Sequence, residues 1–263
     1  MNPLFSISLQ LLSSKAIKRR SRQWGFASIT CTAICWGLFQ TATWGLFPDF
    51  RGTGRPGNHG SGASRTGCPV EENAPLFTLL VPEEAQYGGY TTEANPNVWA
   101  YIPYFLGEDS SITFSLEDNS GAIIYTTFHD LEHEPGILKL DLPPSVSLEI
   151  GQSYEWYLMI HCDDPERKDV ADWASGWIER VADPVTEDID ELPLVEQSNV
   201  YANQLIWYDA LNILAEGRLE SPNDLQLIEA WTNLLSLPSV KLDEFSTQAI
   251  RDCCILSDSP EEI

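Results

Sequence analysis

Basic side chains are scarce beyond residue 67. Residues 68–263 carry seven Lys or Arg against 38 Asp or Glu, a net of −31, whereas residues 1–67 carry eight basic residues against the single acid Asp49. A surface of that sign repels phosphate backbones and anionic headgroups, so nucleic acid and acidic membranes are disfavoured partners. It suits a solubilising coat, a partner with a basic patch, or weak binding of a divalent cation. The six cysteines include no C-x-x-C pair, which leaves zinc knuckles and dithiol redox catalysis unsupported. No G-x-S-x-G elbow occurs, and no glycine-rich phosphate loop follows a strand, so acyl and nucleotide chemistry have no motif.

The positive charge that exists precedes an uncharged run. Lys15, Lys18, Arg19, Arg20 and Arg22 stand ahead of Trp24–Phe47, in which no side chain is charged. The densest part, Phe26–Phe39, has the character of a secretory signal core, and Thr41, Ala42 and Thr43 offer small residues for cleavage. A retained membrane anchor is the alternative, because the run is long enough to span. Either way the basic flank stays cytoplasmic and the remainder is exported, to the periplasm or beyond. Residues 1–43 are therefore read as signal peptide or anchor, and 44–67, with its glycines and arginines, as a flexible linker.

From Cys68 the pattern changes to period two. Seven short strands are predicted: Leu76–Val81, Asn97–Phe105, Ser111–Glu117, Ala122–Phe128, Gly136–Leu142, Ser153–Cys162 and Ala174–Val181. The turn Asp118-Asn-Ser-Gly121 joins the third and fourth as a hairpin. Ser153–Cys162 is the most aromatic strand, with Tyr154, Trp156, Leu158 and Ile160 on one face and Tyr157 and Met159 on the other. That places it at the centre of a sheet. Its approach through Leu148 and Gly151 to Tyr154 resembles a tyrosine corner, in which the phenol closes onto nearby backbone. The fold class expected for residues 68–182 is a seven-stranded immunoglobulin-like β-sandwich.

Residues 183–198 form an acidic linker, and beyond it the period becomes 3.6. One helix is predicted over Asn199–Leu219, apolar on more than one face. A second starts at Ser221-Pro222, presents Leu225, Ile228, Trp231 and Leu235, and stops before Pro238. A short third helix is predicted over Asp243–Leu256. Residues 199–263 thus read as a tetratricopeptide-like helical hairpin plus one short helix, packed on the sandwich because one such unit cannot form a solenoid.

Three candidate sites follow. Cys68 and Cys162 are a disulfide pair if the compartment is oxidising, or two buried thiols if it is not. The acidic loop Asp163, Asp164, Glu166, Asp169, Asp172 offers oxygens to calcium, but it lacks EF-hand spacing and contains Arg167 and Lys168. No cofactor is otherwise expected. His129-Asp-Leu-Glu-His133 has the residue order of an H-x-x-E-H zinc site. It runs from a strand into Glu134-Pro135-Gly136, so both imidazoles on one helical face are not expected, and the pentad reads as a polar hairpin tip. Most of the aromatic residues belong to the core. Trp173, in the acidic loop with Asp163, Asp164 and Asp169, is the best candidate for a sugar- or peptide-binding platform.

Arg65-Thr-Gly-Cys68, Leu79-Leu-Val-Pro82, Trp99-Ala-Tyr-Ile-Pro-Tyr104, Tyr154-Glu-Trp-Tyr157, Gly176-Trp-Ile178 and Tyr201–Ala210 (YANQLIWYDA) stand out as a spaced set. In these the chain from Arg51 onward resembles a family of exported cyanobacterial proteins defined as a domain of unknown function, number 928. The resemblance implies export and a two-part layout, and no activity. The expected function is a non-enzymatic exported protein that binds a protein or glycan partner, or assists assembly, at the cell envelope. The alternative is an envelope hydrolase using loop carboxylates, since a carboxylate dyad leaves no sequence signature.

Overall fold

The alternating segments form two sheets. The computed structural model describes residues 48–50, 68–86, 88–166, 168–186 and 188–255, without the side chains of 252–255. The expected signal or anchor and most of the linker lie outside the described residues. One sheet has the order β1 (Thr78–Leu79), β3 (Asn97–Ile102), β6 (Gly136–Asp141), β9 (Ile250–Ile255); the other runs β2 (Gly88–Thr91), β8 (Asp172–Arg180), β7 (Ser153–His161), β4 (Ser111–Glu117), β5 (Ile123–Asp130). The protein is mainly β, with helices α1 (Leu194–Asn203), α2 (Trp207–Glu220) and α3 (Leu225–Leu235) towards its C-terminal end. None of the described helices is long and apolar enough to cross a membrane.

All seven predicted strands are present, and β4 has the expected bounds. The β4–β5 hairpin turns at Gly121, whose φ of 80° only glycine adopts without strain. The tyrosine corner also forms: the Glu149 amide donates to the Tyr154 hydroxyl at 3.1 Å.

Two strands are additional, and both are parallel pairings. β2 pairs with β8, and β9 with β6. β2 reads GGYT, which has no alternation to detect. Its glycines are there for clearance. A Cβ on Gly88 would lie 2.3 Å from the Trp177 carbonyl oxygen, and one on Gly89 would lie 2.7 Å from Trp207 Cβ.

The helical region needs correction in four places. The predicted single helix breaks after Asn203, where Leu205 takes a left-handed backbone (φ 62°), and α1 starts inside the expected linker. The cap of α3 is Asp224 and not Ser221: its carboxylate accepts from the amides of Gln226 and Leu227. Leu225 points to solvent, and Leu227, Trp231, Leu234 and Leu235 point inward. The predicted third helix is one 3₁₀ turn, Asp243–Phe245, followed by β9. Helical and strand readings compete in a short apolar run, and here the open edge of β6 supplies the backbone partners.

α2 touches β2 on one sheet and β3 and β9 on the other. It closes the gap between the sheets, and a single hydrophobic cluster runs from Phe114 and Trp156 to Trp207, Leu211 and Trp231. The indole of Trp156 donates to the Tyr208 hydroxyl at 3.0 Å, and that hydroxyl donates to the Trp177 carbonyl at 2.8 Å. The break at Leu205 delivers both Trp207 and Tyr208 into this core.

Candidate functional site

The five-stranded sheet has one face in the core and one turned outward. Ile112, Phe114, Leu116, Trp156, Leu158, Ile160 and Ala174 fill the inner face. The pleat turns every intervening residue the other way, and the register lines these up in rows across the strands. One row is Phe128, Thr113, Met159, Trp173; the next is Thr126, Ser115, Tyr157, Ser175; Glu117 and Glu155 stand opposite each other beyond it. This side of the sheet therefore carries a mainly apolar row, a hydroxyl row and a pair of carboxylates, with Trp177 beside Glu155 buried under the Ala85 backbone.

Trp173 is the most open of these, with 38% of its surface exposed. Phe128, Met159 and Tyr157 are half-buried, and the short hydroxyls lie sunk between them. Ser115 and Thr126 share a hydrogen bond at 2.8 Å, and Thr113 shares one with His161 Nε2 at 2.9 Å. The Tyr157 hydroxyl lies against two acids. Burial first, then Glu155 and Glu117, push it up to about 12, so it stays a proton donor at any physiological pH.

The sequence reading placed Trp173 in a loop with Asp163, Asp164 and Asp169; it sits instead on β8 and shares its outward face with Tyr157 and Met159. The acidic loop is tied to itself. Asp164 accepts from the amides of Glu166 and Asp169, and the Asp169 carbonyl meets His161 Nδ1 at 3.1 Å. Asp172 leaves the set altogether, since it is on the inner face and accepts from the Tyr104 hydroxyl at 2.6 Å. Among the described residues no three His, Cys, Asp or Glu gather in a way that could hold a metal. The pentad likewise spreads out: His129 is on β5, and His133 pairs with Leu106 in an isolated bridge. The structure joins Cys68 to Cys162, with Cα atoms 5.5 Å apart, at the far end of β7.

A second, polar feature escaped the sequence reading. A cleft of about 360 Å³ opens between the β2–β3 turn, α1 and α2. Its walls include Glu93, Asp190, Asp209, Glu216, Asn97 and Asn212, with no Lys or Arg. Asn97 donates to Asn212 and Glu216, and Trp99 Nε1 donates to Asn212. Asp209, at the floor, is buried, and both carboxylate oxygens accept from Thr92. One acid inside a helix gives no hint in sequence that two strand ends fold over it.

Most of the rows and of the cleft walls lie within residues 60–250, and a family model described as Domain of Unknown Function (DUF928) matches that whole span. The chain belongs to the DUF928 family. Comparison with curated proteins finds no match. The DUF928 span includes the outward face with Trp173, the disulfide and Asp209, so all three are features of the matched region.

Two buried carboxylates in this DUF928 domain, Asp172 and Asp209, accept hydrogen bonds from hydroxyl and amide groups. Burial raises Asp172, although Tyr104 and the Trp173 amide hold it back, and burial likewise raises Asp209 against its Thr92 hydrogen bonds. A raised folded value means the native state holds its proton more tightly than the unfolded chain. That contribution is complete below the ordinary carboxylate range, about pH 4, and is lost as pH rises through the folded value. Melting temperature is therefore expected to fall from pH 4.5 to pH 7, the reverse of acid denaturation. Asp172→Asn, whose amide can still meet the Tyr104 hydroxyl, should flatten that slope. An unchanged slope in this variant would remove Asp172 as a cause.

Proposed function

We propose that this is a non-enzymatic, exported protein that binds, or helps assemble, material at the cell envelope, with the outward face of the five-stranded sheet as its binding surface. The observation that carries the reading is the row through Trp173, an open indole backed by Met159 and Phe128 on a rigid sheet. Sites on strands hold geometry better than sites on loops. Export is supported by the charged and apolar N-terminal pattern and by the bonded Cys68–Cys162 pair. The tyrosine corner supports reading the two sheets as a variant of the immunoglobulin-like sandwich. The contact of α2 with α3 supports the tetratricopeptide-like reading of that pair.

The test is sedimentation of the purified exported region, beginning near Trp44, with washed envelope fragments. Wild type is expected to pellet with them, and Trp173→Ala to remain in the supernatant while keeping its melting temperature. Equal pelleting of both proteins would end the proposal for this face.

One observation favours the alternative, an envelope hydrolase: Asp209 carries a raised carboxyl in a cleft that also holds Glu93, Asp190 and Glu216. Against it, both Asp209 oxygens are committed to Thr92.

A further inference from the structure

We propose that the outward face of the five-stranded sheet binds a neutral, hydroxyl-rich polysaccharide, seated across the strands. This rests on the binding reading above and adds the chemical class of the ligand.

The first argument is the spacing of the rows. The row Phe128–Thr113–Met159–Trp173, apolar but for the buried Thr113, and the hydroxyl row Thr126–Ser115–Tyr157–Ser175 lie two residues apart along each strand, about 6–7 Å. Each row crosses four strands, a span of roughly 14 Å. A sugar chain has the same alternation, with apolar C–H faces and polar O–H edges. Its rings can stack on Trp173 and Met159 while its hydroxyls reach the neighbouring row.

Charge narrows the class. The rows end on Glu117 and Glu155, and none of their members is Lys or Arg. Anionic polymers meet repulsion from those carboxylates. Neutral sugars instead donate their hydroxyls to the two carboxylates, which the acceptor-only chemistry of an ionised Glu requires. Tyr157 keeps its proton and stands against those acids, so its ring is held in place as part of the surface.

Hydrogen bonding separates a glycan from a protein partner. Protein interfaces are built round a dry, apolar centre. Here the apolar row is one residue wide, and beside it lie four hydroxyls, of which those of Thr126 and Tyr157 belong to partly exposed residues. A flat apolar partner would bury those hydroxyls at a cost, whereas a sugar satisfies them.

The experiment uses the disulfide-bonded exported region with three probes: insoluble cellulose, a soluble neutral β-glucan, and alginate as the acidic control. Retention on a neutral glucan is expected, with none on alginate. Trp173→Ala should weaken retention roughly ten-fold or more, the loss of the most exposed aromatic contact, and Trp173→Tyr should restore most of it. Met159→Lys is the second variant, placing a charge in the same row. Alginate bound as well as glucan would overturn the neutral class. Folded protein that binds no glucan would overturn the proposal. If envelope pelleting still depends on Trp173 in that case, only the ligand class falls; if it does not, the binding face falls as well.

Discussion

Trp207→Ala is expected to destabilise the whole region beyond Trp44 by about 3–5 kcal/mol, the range for truncating a buried aromatic. Trp207 is fully buried at the start of α2, meets Phe50 edge-on at 5.2 Å between ring centroids, and donates its indole N–H to the Leu80 carbonyl at 2.9 Å. Truncation empties a space that Gly89 is shaped to fit, and leaves a buried carbonyl without its donor. For a region of this length the melting temperature should drop on the order of 10 °C. The drop should appear in one transition, because α2 contributes to the same hydrophobic cluster as Phe114 and Trp156. A calorimetric scan with two separated transitions, or a region ending at Ala182 that melts as cooperatively and as high as the full one, would show that the helices are an independent module.

Removing the disulfide is expected to cost a similar amount. Cys68 and Cys162 are 94 residues apart, and closing a loop of that size contributes about 4–5 kcal/mol by constraining the unfolded chain. Against a typical total of about 5–15 kcal/mol this is a large share. The Cys68→Ala/Cys162→Ala double variant should unfold at a much lower denaturant concentration than wild type, and reduction of the wild type should reproduce the shift. Non-reducing peptide mapping of protein purified under oxidising conditions should recover the two peptides linked. Free alkylatable thiols at both positions would refute the bond. The bond also ends β7, the strand that supplies Tyr157 and Met159 to the outward face, so local loosening there would weaken ligand retention before global unfolding.

Much of this was legible in the residues. Period-two alternation located seven strands because a half-buried strand must put every second side chain in the core. The Asp118–Gly121 turn and the Tyr154 corner were equally readable, since each depends on residues within a few positions of one another. The charge asymmetry needed only composition, whereas Cys68 and Cys162 were readable as a pair that is either bonded or two buried thiols. The sequence also put the large residues Tyr157 and Met159 together on the face of β7 opposite Trp156 and Leu158. It could not place Trp173 with them, because β8 begins two residues earlier than its apolar pattern and an acidic loop obscures the start.

Tertiary structure decided what depends on distant partners. β2 and β9 carry no periodic signal strong enough to announce a strand; they exist because β8 and β6 have free edges that satisfy their backbone. The break at Leu205 follows from the need to bury Trp207, Tyr208 and Leu211 together against two sheets, which a continuous helix over Asn199–Leu219 would not orient. Asp209 and Asp172 look like two acids among 39, and only the fold buries them against Thr92 and Tyr104. The rows of the outward face belong to register, and register is set by long-range pairing. Local periodicity says which way a side chain points; only the pairing of strands far apart in sequence says what stands next to it.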